Sequence, residues 1–175
     1  MRKKLPCLLS FIATVAAAAF YHPVTALATM PEPYKSTLLA KGRFGEIDVL
    51  NDVSHRMAAK ESEQLWLLLT EAKRMSDVYV QRNVWAPGGT IGWHSHSGHS
   101  LTIVTAGTVT DYEGHDPECT PHVYKAGMAF VDPGGDHTHI LRNESSREAR
   151  TVAVQLIPAN AARRIEVADP GNCHF

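Results

Sequence analysis

Residues 88–107 read GGTIGWHSHSGHSLTIVTAG, and the pair His94 and His96 stands at the centre of the stretch. Side chains on an extended strand alternate faces with a period of two, so two histidines one residue apart point to the same side. Both imidazoles then look into one space. Further on, residues 133–143 read PGGDHTHILRN and carry His137 and His139. If the strand of this second cluster packs against the first, a third imidazole completes a metal site. Seven of the ten histidines fall between His94 and His139, but a lone histidine is commonly a surface or satisfied core residue, and it is the spacing that carries the argument.

The surrounding chain reads as short strands. Val78, Val80, Arg82 and Val84 fall on one face of a strand while Tyr79, Gln81, Asn83 and Trp85 fall on the other, with β-branched and aromatic residues enriched. Ala86-Pro87-Gly88-Gly89 breaks that strand. Residues 101–105 and 108–112 predict two antiparallel strands joined at Ala106-Gly107. Residues 113–121, EGHDPECTP, are long for a hairpin and predict a rim loop. Residues 124–132 predict a turn and a strand, 140–142 another strand, and 151–157 the last strong one. No segment from 78 to 157 has a useful helical period. The fold class is all-β, an antiparallel sandwich or barrel.

Outside that core the reading is looser. Pro31 and Pro33 discourage regular structure, so residues 29–35 are expected to form an irregular lead-in. Two strands are expected at 36–40 and 44–50, parted by a turn at Lys41-Gly42-Arg43. Residues 51–63 show no clean period and admit a short helix. Residues 65–69, LWLLL, suit a helix or a buried strand on periodicity alone, and the context favours a strand. The tail with Ile165 and Val167 is expected to pack outside the barrel.

The two histidine clusters resemble the motifs of the cupin superfamily. Gly88, His94, His96 and Gly107 match the first motif, with Ser100 where its glutamate should stand. Gly127, Pro133, Gly135, His139 and Asn143 match the second, with one extra residue before His139. His139 rather than His137 keeps the three-residue step to the asparagine. The resemblance spans about residues 78–158 and implies an antiparallel jelly-roll barrel. It also implies a divalent metal ion held by His94, His96 and His139. Cupins include dioxygenases, isomerases, lyases, storage proteins and sugar-binding regulators, so the resemblance names no reaction. Dimers formed through sheet faces are common among them, so a homodimer is an open expectation.

The chain has 175 residues. Residues 1–28 read as a signal peptide: Arg2, Lys3 and Lys4 precede an apolar run too short for a membrane span, and Ala26-Leu27-Ala28 offers a cleavage site. Residues 29–175 are then a single domain of ordinary size. Losing three basic and no acidic residues takes the net charge from −1 to −4. A mildly acidic product without a basic run argues against nucleic acid or an anionic membrane as partner and leaves a small molecule. Export implies an oxidising compartment, periplasmic or extracellular, where Cys119 and Cys173 are expected to form a disulfide. Free thiols or thiolates joining a metal site are the alternatives.

Three imidazoles without the glutamate leave the site at a formal charge of +2, which favours anionic or enolisable substrates, and at least one coordination position stays open. The metal can be iron, zinc, manganese, nickel or copper. A metal-dependent enzyme, dioxygenase-like by resemblance, is the first reading, and a non-catalytic module binding a small ligand or metal is the second. His99 and His137 are candidates for a fourth ligand or a proton shuttle. Asn143 is expected to hydrogen-bond an imidazole or the barrel backbone, and Trp85 and Trp93 to pack as core or pocket wall. His115, His122, Glu113 and Asp116 read as solvated rim residues.

Overall fold

The computed structural model describes residues 32–52 and 67–175, and these contain strands and no helix. In chain order the strands are β1 (Glu32–Phe44), β2 (Ile47–Asp52), β3 (Leu67–Ala72), β4 (Ser76–Thr90), β5 (His94–Ser95) and β6 (Ser100–Ala106). There follow β7 (Thr108–Glu113), β8 (His122–Lys125), β9 (Ala129–Asp132), β10 (His139–Arg142), β11 (Ala149–Pro158) and β12 (Ile165–Glu166). All the pairings are antiparallel. β2 and β3 pair only with each other, and the other ten strands form one sheet. That sheet folds into two layers, β1-β4-β11-β6-β9 and β12-β5-β10-β7-β8, joined where Arg142 of β10 pairs with Thr90 of β4. The architecture is the antiparallel jelly-roll barrel that the motifs imply.

The layers face each other across an apolar core of Trp85, Ile91, Val104, Val109, Phe130, Leu141 and Ala149, to which both contribute. Tyr34 of β1 packs on Trp85, ring centroids 5.2 Å apart. Trp93, Tyr112, Ile140 and Cys173 form a second cluster under the rim. Gly107 makes the β6–β7 turn at φ 68°, where a Cβ would also run into Glu148 O and Ala149, so the position admits only glycine without strain.

Along β6 the buried residues are Ser100, Thr102 and Val104, while Leu101 and Ile103 face outward at 52% and 51% exposure. The neighbouring strands agree: Thr151, Ala153 and Gln155 of β11, and Phe130 and Asp132 of β9, point inward. The interior therefore has an apolar end and a polar end. Gln155, Ser100 and Asp132 sit directly opposite one another across three strands and form one row of the polar end.

Three expectations need correction. β1 is continuous through Lys41-Gly42-Arg43, and the turn falls at Gly45-Glu46. The reason is Asp77 on β4, whose carboxylate accepts from Arg43 Nε and Nη2 at 2.7 and 2.8 Å and lies 3.5 Å from Lys41 Nζ. The lead-in is also shorter than expected, because β1 begins at Glu32. Pro33 is tolerated since β1 is an edge strand and its register shifts there. Finally, the tail is part of the barrel: β12 pairs with β5, and Val167 N–H donates to Trp93 O at 3.2 Å. Residues 67–69 are strand, as the context favoured. The signal-peptide expectation for 1–28 and most of the possible helix at 51–63 lie outside the described residues.

The Arg43 hydrogen bond and charge, the Asn160 N–H and Lys41 hold the Asp77 carboxyl well below the usual carboxylate range against the opposing effect of burial. A carboxyl depressed on folding contributes stability above its unfolded pKa, and that contribution is lost as pH falls through the folded value. The urea midpoint is thus expected to drop between pH 5 and pH 3. Asp77→Asn should lower the midpoint at pH 7 and flatten the acid dependence, as equilibrium unfolding at both pH values will check.

Cys119 and Cys173 are disulfide-bonded, with Cα atoms 5.3 Å apart and a sequence separation of 54. Constraining the unfolded chain over such a loop is worth up to about 4 kcal/mol. Cys119→Ser is expected to lose a stability of this order, measured by denaturant titration, and reductant should move the wild-type protein in the same direction.

Candidate metal centre

His94 lies in β5 and His96 just beyond it, while His139 opens β10 and pairs directly with His94. The three rings gather at the polar end of the barrel, with centroids 4.8 Å apart for His94–His96, 4.6 Å for His94–His139 and 5.9 Å for His96–His139. One ligand nitrogen from each lies within 4.8 Å of the others. Relative exposures of 0%, 9% and 2% for His94, His96 and His139 place all three inside.

Each ring is held by its Nδ1. His94 Nδ1 lies 2.8 Å from Gly92 O, His96 Nδ1 2.5 Å from Arg163 O, and His139 Nδ1 3.2 Å from Asp111 Oδ1. Carbonyl and carboxylate oxygens only accept, so these contacts assign the proton to Nδ1 of His94 and His139 and leave their Nε2 lone pairs free. At His96 the Gln155 amide nitrogen, a donor, also lies 2.9 Å from Nδ1, so the contacts fix the position of that ring and not its tautomer. Among the described residues, His94 Nε2 and His139 Nε2 are buried without a hydrogen-bond partner. Buried nitrogens without partners are costly unless something absent from the protein atoms satisfies them. Three converging imidazole lone pairs fit a divalent transition metal, and the residues present therefore suit the ion that the motifs imply.

Burial pushes His94 well below the ordinary imidazole value, helped by the nearby His139, Arg164 and His96 charges and opposed by the hydrogen bond to Gly92 O. Burial likewise lowers His96, against the Arg163 carbonyl and Asp132. For His139 burial pulls downward too, but the Asp111 hydrogen bond and charge, with Asp132 and Glu113, outweigh it and the net shift is upward.

Asp132 at the end of β9 is 2% exposed. Its Oδ1 accepts from Gly134 N–H at 2.9 Å and lies 3.3 Å from His137 Nδ1. Its Oδ2 lies 3.3 Å from His96 Nε2 and 3.9 Å from His139 Nε2, yet makes no hydrogen bond among the described residues. The turn after it is set by Gly134 at φ 70°, where a Cβ would overlap the Gly98 backbone, and by Gly135 N–H donating to His96 O at 2.7 Å. His137 touches Glu113 Oε2 through Nε2, so both its nitrogens contact carboxylates.

A cavity of about 240 Å³ opens onto the three rings. Tyr34, Asn83, Thr151 and Gln155 supply polar wall, Ile91, Phe130 and Leu141 the apolar wall, and Arg163 and Arg164 reach it from the tail. Arg163 donates to Gln155 Oε1 at 3.2 Å and to Gln81 Oε1, and its guanidinium stacks over the Tyr79 ring at 4.4 Å.

The structure thus brings together His94, His96 and His139, with Ser100 buried in the cavity wall. His99 is exposed and stands outside this group. His137 lies behind Asp132. Asn143 serves the backbone, donating to Trp85 O, Ala86 O and Arg147 O at 3.1, 3.1 and 2.7 Å. His115 is exposed, Asp116 caps its own loop through Glu118 and Thr120 N–H, and Glu113 is half-buried against His137. Sequence reasoning missed Asp132, Asp111 and the two arginines. The only signal for Asp132 was its place immediately before Pro133 of the second motif.

A small jelly-roll barrel with histidines converging at its polar end is a cupin-type architecture. A family profile described as a cupin domain matches residues 82–155, so the chain carries a cupin domain over that stretch. Comparison with curated protein sequences gives no match. Among solved structures the chain is similar to an oxalate oxidase, at 26% identity over 51% of this chain and 46% of that one, TM-score 0.44. It is also similar to a cupin-like protein from Thermotoga maritima, at 22% identity over 53% and 65%, TM-score 0.44. A third is the polyketide cyclase RemF from Streptomyces resistomycificus, at 17% identity over 53% and 64%, TM-score 0.43. The chain spans about half to two thirds of the length of these structures.

Outer partners of metal-ligating histidines tune affinity by roughly 10–100-fold. Asp111→Asn is therefore expected to weaken binding of Co²⁺ or Zn²⁺ by about that factor, measured by competition with a chromogenic chelator, while the melting temperature shows the barrel intact.

Proposed function

We propose that this protein is an exported metal-dependent cupin, and that His94, His96 and His139 hold one divalent ion at which a small anionic or enolisable substrate is transformed. The observation that carries this reading is the shared arrangement of the three rings: each Nδ1 is tied to a fixed acceptor, so each Nε2 is turned to a common point. When bound, the ion supplies a Lewis-acidic and, for iron, manganese or copper, redox-active centre with an open position. The protein's own residues do the rest. Arg163 brings positive charge to the cavity wall and favours an anion, while Arg164 beside it is paired with the Glu166 carboxylate. Tyr34 donates to Asn83 Oδ1 at 2.8 Å and Asn83 Nδ2 to Thr151 Oγ1 at 3.2 Å, so the polar wall is held in one orientation. Ile91, Phe130 and Leu141 line the opposite side with apolar surface. At about 240 Å³ the space falls below the roughly 300–1,000 Å³ of sites that hold drug-sized ligands, which favours a small substrate. The disulfide supports export, since such bonds persist in oxidising compartments.

Elemental analysis of the full chain purified from its export compartment is expected to find one divalent ion, lost in His94→Ala and in His139→Ala. Equal metal content in all three proteins would reject the ligand set. The metal-loaded wild type should then turn over members of a panel of short carboxylates, hydroxy acids and diketones. Saturable binding without turnover across the panel would favour a binding module.

A further inference from the structure

The cupin motif places its carboxylate on the strand that follows the histidine pair, and here that position is Ser100, whose hydroxyl is too weak a donor to replace it. Ser100 Oγ is buried and without a hydrogen-bond partner among the described residues. Its direct cross-strand neighbour is Asp132. Facing residues in an antiparallel pair project to the same side of the sheet, so a carboxylate on β9 reaches the interior space that one on β6 would have reached. The barrel thus contains a carboxylate in the expected region, contributed by a different strand.

We propose that Asp132 Oδ2 is the fourth protein ligand of the ion held by His94, His96 and His139, a carboxylate transferred from β6 to its partner strand. The assignment rests on the metal centre argued above. Four observations support it. Asp132 is almost wholly buried, and a buried carboxylate oxygen without a hydrogen bond is expensive unless a cation satisfies it. That oxygen lies 3.3 Å from His96 Nε2 and 3.9 Å from His139 Nε2, and the His139 ring, with its proton on Nδ1 toward Asp111, offers it a lone pair rather than an N–H group. Lone pairs converging on lone pairs repel each other in the absence of a positive charge between them. The other carboxylate oxygen is held by Gly134 N–H and faces His137, which fixes the rotation of the group and leaves only Oδ2 turned to the rings. His137 is thereby a positioning residue: its nitrogens contact Asp132 and Glu113, whereas His94 Nε2 and His139 Nε2 have no hydrogen-bond partner among the described residues.

The consequence is a change of charge. Three imidazoles leave a divalent site at +2, and an ionised Asp132 brings it to +1, so Arg163 becomes a larger share of the attraction for an anion, Arg164 being paired with Glu166. A four-ligand set also narrows the positions open to substrate.

The test compares Co²⁺ binding by the full chain in wild type, Asp132→Asn, Asp132→Ala and His94→Ala. Affinity is read by chelator competition, ligand field by visible absorption, and folding by circular dichroism and melting. Losing an outer partner already costs roughly 10–100-fold, so Asp132→Asn and Asp132→Ala should weaken binding by about 100-fold or more and alter the absorption bands. Wild-type affinity and spectrum in both Asp132 variants, with metal lost in His94→Ala, would overturn the assignment and leave the three-histidine centre standing. Weakened affinity with an unchanged spectrum would also overturn it, because Asp132 would then act as a charge outside the coordination sphere. Metal retained in His94→Ala would overturn the centre itself. If the alanine variant does not fold, the near-isosteric asparagine variant decides.

Discussion

The site depends on one constraint: the proton of each ring must sit on Nδ1. Gly92 O and Asp111 Oδ1 impose it on His94 and His139 from the turn before β5 and the strand β7, and at His96 Arg163 O, in the tail before β12, competes with the Gln155 amide nitrogen for the same Nδ1. Rotating any ring or moving its proton would aim an N–H where a lone pair is needed and destroy the convergence. The barrel exists in this form to hold those acceptors still. Its apolar end supplies the burial that stabilises the fold, and its polar end spends part of that stability on desolvated imidazoles and a carboxylate. Division of labour between the two ends explains why inward positions on β6, β9 and β11 change character from Val104, Phe130 and Ala149 to Ser100, Asp132 and Gln155.

Much of this was legible in the sequence. The alternation from Val78 to Trp85, the turn at Gly107, the last strand before Pro158 and the facing of His94 with His139 follow from period-two patterning, punctuation and the two motifs. Register on β6 was not legible. A reader of SLTIVTA would turn Leu101 and Ile103 inward, because apolar residues are normally buried, but a polar cavity reverses the preference and leaves them outside. The Lys41-Gly42-Arg43 turn failed for a comparable reason: two basic residues around a glycine signal a turn locally, and Asp77, distant in sequence, recruits both charges into a straight strand.

The carboxylate shows where motif reading stops. A motif records residues along one strand, whereas the site is built across strands. Which residue faces Ser100 is a fact of sheet pairing, and nothing along the chain announces that it is Asp132. The arginines escaped notice similarly, because the segment after the last strong strand looked like trailing chain.

That segment carries Arg163 and Arg164, provides the acceptor for His96, adds β12 beside β5 and ends at Cys173, which is bonded to the rim loop through Cys119. One covalent link therefore anchors the stretch that finishes one wall of the cavity. The acceptors of His94 and His139 lie within the barrel, whereas the acceptor of His96 and part of the cavity wall come from chain that follows the β11 strand. The covalent bond between Cys119 and Cys173 thus ties the far end of the stretch that completes the cavity to the rim of the barrel.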